Sequence, residues 1–128
     1  SHQTGNLLED TQSIKRVSGP MALNEISVAL AEIQRNLFQL NPHHLVVFDS
    51  LSTLLMYTNP QTVGRFTQVI TAKIKQAGGT IIYTLEEGMH DQKTLVTVEH
   101  LMDQIIQIKQ ENNKHFIKTS NTDWQPFD

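Results

Sequence analysis

The sequence predicts an α/β domain, a mostly parallel sheet flanked by helices and closed by a C-terminal antiparallel hairpin. Two short apolar runs, Leu45-Val46-Val47-Phe48 and Thr80-Ile81-Ile82-Tyr83-Thr84-Leu85, lack the strict alternation of a half-exposed strand. Strands covered on both faces read this way, and they belong to parallel sheets. Helical periodicities precede and separate these runs, the order expected of a wound sheet. Near the C-terminus, two strand-like segments flank a polar turn.

The elements come in the following order along the chain. Residues 1–12 are polar and expected to be a flexible segment, with Ser1-His2 reading as a tag remnant and the chain as a piece of something longer. Residues 13–128 are expected to form one domain. Ser13 to Ser18, carrying Ile14 and Val17, suggests a short strand ended near Gly19-Pro20. Leu23, Ile26, Leu30, Ile33, Leu37 and Leu40 then recur at spacings of three and four, so they share one helix face. Glu25, Glu32, Gln34 and Arg35 are expected away from it, and Asn41-Pro42 should stop the helix.

After the first apolar run, Leu51 to Tyr57 predicts a turn or short helix over the strand end. Asn59-Pro60 is a helix start, a capping side chain followed by proline at the first helical position. Val63, Phe66, Ile70, Ile74 and Ala77 mark its buried face, and Gly78-Gly79 supplies the stop. The second apolar run comes next, then a Glu86-Glu87-Gly88 loop and a short helix over Leu95 to Met102. Gln104 to Lys109 and His115 to Thr119 predict the hairpin, and Ser120 to Asp128 an irregular tail tacked on by Trp124 and Phe127.

Composition excludes several functions. The 128 residues contain no cysteine, so disulfides, thiolate metal sites and cysteine nucleophiles are ruled out within them, and a reducing, cytoplasmic setting is expected. A net charge of −3 gives no basic excess to draw the chain onto nucleic acid. No apolar run approaches the roughly 20 residues of a membrane span, and residues 1–10 lack the apolar core of a signal peptide.

In wound sheets, ligands bind beyond the carboxyl ends of the strands. The candidate site residues are therefore Asp49, Ser50 and Ser52 after one strand and Glu86 and Glu87 after the next. Asp49 suits a water-held magnesium ion, with the serines orienting a phosphate. The competing reading makes Asp49 and the serines caps of the adjoining turn. Glu86 and Glu87 fit a general base or a second ligand, or simply a solvated loop. His43-His44, His90, His100 and His115 lack the spacing of a metal motif. No serine has the glycine context of a nucleophile elbow. The string G-x-x-x-x-G-K-[ST], which cradles a triphosphate, does not occur in these residues.

At Leu45-Val46-Val47-Phe48-Asp49-Ser50-Leu51-Ser52 the chain resembles the RecA and KaiC-like P-loop ATPases, whose magnesium-associated Walker B strand ends in such a string. The helix ending at Ala77-Gly78-Gly79, the strand Thr80 to Glu86 and the Leu101-Met102-Asp103 segment resemble, in the same order, the family's next helix, strand and Leu-x-Asp segment. His115-Phe116-Ile117-Lys118 resembles the returning strand whose basic pair reaches a neighbour's nucleotide, although Ser120 stands where an arginine is expected. The likeness spans about residues 14 to 119. It implies a truncated three-layer RecA-like sandwich in which Asp49, Ser50, Ser52, Glu86 and Lys118 are vestigial nucleotide and magnesium positions. It also implies that the family's first strand, absent here, would lie between Thr80–Leu85 and Gln104–Lys109. Those strands should either close up or leave edges for another chain.

The function expected is a non-catalytic regulatory or signalling module acting through protein contacts, with a protein partner or a homodimer and no cofactor. One alternative is an ATPase fragment binding ATP and magnesium, with its phosphate loop upstream or on a partner. The other is a small-molecule sensor using the region of Asp49 and Glu86.

Overall fold

A computed structural model describes residues 15, 17–19, 22–40 and 43–128. Helix α1 (Leu23–Leu40) leads into β1 (Leu45–Phe48), α2 (Leu51–Tyr57), α3 (Pro60–Gln76) and β2 (Thr80–Tyr83). A single 3-10 turn (Glu87–Met89), α4 (Gln92–Glu99), β3 (Ile106–Glu111), β4 (Lys114–Thr119) and β5 (Gln125–Phe127) complete the chain. The expected flexible segment 1–12 and the Asn41-Pro42 stop lie outside the described residues, as do the side chains of Leu37 and Leu40. The strand expected over Ser13–Ser18 lies partly outside them; Lys15, Val17 and Ser18 are not in a strand. Lys15 instead meets Glu32 at 3.7 Å, and Ser18 bonds to Glu25, so these two residues lie along α1.

The strands form two sheets rather than one mostly parallel sheet. β1 and β2 pair in parallel, Leu45 opposite Thr80 through Phe48 opposite Tyr83. β3, β4 and β5 make a separate antiparallel sheet in that order. The tail expected to be irregular supplies β5, which pairs His115 with Phe127 and Ile117 with Gln125. β2 and β3 do not pair with each other.

The core belongs to the parallel sheet and the helices on one of its faces. Leu51, Leu54, Val63, Phe66, Ile70, Ile74 and Val98 are buried together, with Val46, Phe48, Ile81 and Tyr83 packed against them from the sheet. Leu23, Ile26 and Leu30 pack there from α1. On the opposite face Leu45, Val47 and Ile82 are about half exposed. Phe48 meets both Phe66 and Tyr83 with ring centroids 5.8 Å apart, the tilted geometry that aromatic quadrupoles favour. The Tyr83 hydroxyl bonds with Thr71 Oγ1 at 2.7 Å, and burial pushes its phenol above the ordinary tyrosine range.

Local chemistry sets the element ends. The Asn59 side chain accepts from the Thr62 N–H at 2.8 Å, with Pro60 at the first helical position of α3. That helix ends in a Schellman motif: Gly78 has φ 86°, its N–H donates to the Lys75 carbonyl and that of Gly79 to Ile74. Asp91 caps α4 by accepting from the Thr94 N–H at 2.8 Å, so this helix starts three residues before the expected Leu95. It also ends earlier, leaving Leu101 and Met102 half-buried beyond it. Asn112 and Asn113, at φ 52° and 63°, make the two-residue turn between β3 and β4, a conformation asparagine tolerates.

One expectation about α1 is corrected. Gln34, placed away from the apolar stripe by sequence, is buried, and its amide nitrogen donates to His44 Nε2 at 3.0 Å. The helix drifts relative to a strict stripe, and His44, at the foot of β1, offers the amide a buried partner. The ring also closes the space over Gly79, where an added Cβ would stand 2.6 Å from Nε2.

Candidate functional site

The carboxyl ends of β1 and β2 open on a cleft of about 280 Å³ lined by Asp49, Ser50, Ser52, Thr53, Met56, Thr84, Leu85, Glu86 and Met89. Sheet geometry produces it. The Thr84 N–H donates to the Phe48 carbonyl at 3.0 Å, and the Leu51 N–H donates to the Thr84 carbonyl at 2.9 Å. The parallel pairing thus continues one step past the strands and holds the Asp49-Ser50 corner, a cis peptide, beside Thr84.

Four of the predicted side chains, Asp49, Ser50, Ser52 and Glu87, are engaged within the fold. Asp49 is exposed and accepts from the Thr84 hydroxyl at 2.7 Å. Ser50 caps α2, its oxygen accepting from the Thr53 N–H at 3.3 Å. Ser52 is 4% exposed; its oxygen accepts from the Glu86 N–H at 2.8 Å and lies 2.8 Å from His90 Nε2. Glu86 itself is exposed at the rim. Glu87 turns away from the cleft to accept from the Gln107 side chain at 3.1 Å.

Asp49, Ser50, Ser52 and Glu86 are therefore brought together, and Lys118 is not. Lys118 stands on β4 opposite Gln107, its ammonium 5.9 Å from the Trp124 ring centroid. Sequence reasoning missed Met56 and Met89, both exposed at the cleft, and set His90, the partner of Ser52, aside with the other histidines. The methionines stand outside any apolar period of their own, and a histidine 38 positions from its partner leaves no local signal.

The cleft offers carboxylates, hydroxyls and thioethers. Two carboxylates at its rim set a negative potential that disfavours a phosphate and favours a cationic group. Among the described residues no three histidine or carboxylate side chains gather in a way that would hold a metal ion. A second, more open hollow lies between α1 and the α2–α3 corner, lined by Leu23, Asn24, Tyr57, Thr58, Asn59 and Thr62. None of the predicted site residues lines it.

The fold and cleft define a small α/β protein with a parallel strand pair, a helical layer and an antiparallel C-terminal sheet. Among the described residues no helix is long and apolar enough to cross a membrane. The chain belongs to a family of unknown function, DUF7504, whose sequence profile matches residues 3–108. That match takes in the whole cleft and ends within β3. No curated protein and no solved structure matches the chain.

Proposed function

We propose that this chain is a non-catalytic regulatory or signalling module of RecA/KaiC-like descent, working through protein contacts rather than through nucleotide hydrolysis. The observation that carries the reading is the chemistry of the strand-end cleft. Asp49 and Glu86 flank it, and every other lining side chain is neutral. A triphosphate placed there would meet two like charges and no lysine or arginine to offset them. Asp49 is already engaged with Thr84, and the Ser52 oxygen with the Glu86 N–H, the roles of structural caps.

The reading also accounts for the face of the parallel sheet that no described residue covers. Parallel strands are ordinarily covered on both sides, so Leu45, Val47 and Ile82 at the surface favour a molecule that works in contact with another. Isothermal calorimetry with magnesium and ATP tests the proposal directly. Titration should give no saturable heat. Saturable binding abolished by Asp49→Ala would replace this reading with that of an ATPase fragment.

A further inference from the structure

The antiparallel sheet sorts its side chains by charge. Its register places Ile106 and Ile108 of β3 on the same face as Ile117 of β4 and Phe127 of β5. Lys109, Glu111, Lys114 and Lys118 all fall on the other face, where Lys109 and Lys118 lie over Trp124 at 4.3 and 5.9 Å. The remaining members of the isoleucine face are two glutamines, a histidine and a threonine, so it bears no carboxylate, lysine or arginine. Ile106 is 58% exposed, Ile108 65% and Phe127 39%. The usual order is inverted, since Gln107 and Lys109 are more covered than Ile106 and Ile108.

We propose that this face packs against the same face of a second copy, giving a two-fold sandwich of two three-stranded sheets. The proposal rests on the reading of the chain as a contact module, and it names the partner. Between the two faces of this sheet, charge selects this one for self-association. Laid against itself it brings no like charges together, whereas the opposite face would set three lysines against three. Area agrees: at these exposures the face presents roughly 500–600 Å² per copy, about the minimum for a specific interface. Apolar sheet faces of this kind stack about 10 Å apart with interdigitated side chains. Ile108 and Ile117, directly paired across β3 and β4, would then occupy the buried centre.

Sedimentation equilibrium of the 128-residue chain from about 1 to about 100 µM tests this. The parent chain should be a dimer within that range. Ile108→Lys, at an exposed position, should weaken association about 100-fold or more while leaving the far-ultraviolet circular dichroism unchanged. Ile106→Gln is a milder second variant and should weaken it in the same direction. Val69→Lys, which puts the same charge on an exposed position of α3, should leave association as it was. A parent chain that stays monomeric throughout overturns the proposal, and so does a dimer indifferent to both isoleucine variants. Nucleotide heat and sedimentation fail separately: a monomer without heat removes only the second copy, and a dimer with heat removes only the contact-module reading.

Discussion

The Ser52 hydroxyl sits where three segments meet, accepting from the Glu86 N–H and lying against His90 Nε2, both at 2.8 Å, on a residue that is 4% exposed. Removing a buried acceptor leaves a backbone N–H to be desolvated without a partner. Ser52→Ala should therefore destabilise the fold by about 1–3 kcal/mol, read as a lower urea midpoint at unchanged slope. At this scale the sequence was informative about position and less so about role. The Asp49-Ser50-Leu51-Ser52 string located the cleft, because an apolar run ending in polar residues marks a strand tip. It did not reveal that Ser52 points inward, since one helical residue in isolation carries no direction. Gln34 shows the same limit, being a polar side chain whose partner, His44, lies on a different element.

Helices α2, α3 and α4 each start at a side-chain cap, Ser50, Asn59 and Asp91. Asp91 accepts from the Thr94 backbone, and that bond, reinforced by the Thr94 side chain, holds its carboxyl below the usual carboxylate range. A depressed folded value stabilises the protein above the ordinary carboxylate pKa of about 4, and that contribution disappears as pH falls through the folded value. Stability should decline on the acid side accordingly. Asp91→Asn, which keeps the acceptor but cannot titrate, should flatten that part of a pH–denaturation profile. The start of α4 was illegible because Gln92, Lys93 and Thr94 are polar, and apolar periodicity reports only from Leu95 onward. By contrast α3 was readable at both ends: Asn59-Pro60 and Gly78-Gly79 each require a particular backbone conformation whatever surrounds them.

Across the whole molecule, burial is uneven. Every buried residue described falls between Gln34 and Val98, and none belongs to β3, β4 or β5. Segments with little buried apolar surface open at lower free energy than the core. In hydrogen exchange at monomeric dilution, amides of the C-terminal sheet should exchange at least about tenfold faster than those of α3. The division into two sheets was the part of the fold least open to sequence reading. Patterns of side chains show which segments are extended, but pairing between β2 and β3 depends on edges separated by α4, and no local signal records it. The hairpin turn was evident from the polar stretch Glu111-Asn112-Asn113-Lys114, whose outer two residues belong to the strands, while β5, short and containing Pro126, resembled a loop.

Trp124 is the chain's single tryptophan, and it lies on the charged face of the C-terminal sheet with the Lys109 ammonium 4.3 Å from its ring centroid. Its fluorescence is therefore a built-in optical gauge of that sheet. Emission followed through a melt would report that sheet alone, while far-ultraviolet ellipticity, dominated by helices α1 to α4, would report mainly the rest, with no label attached.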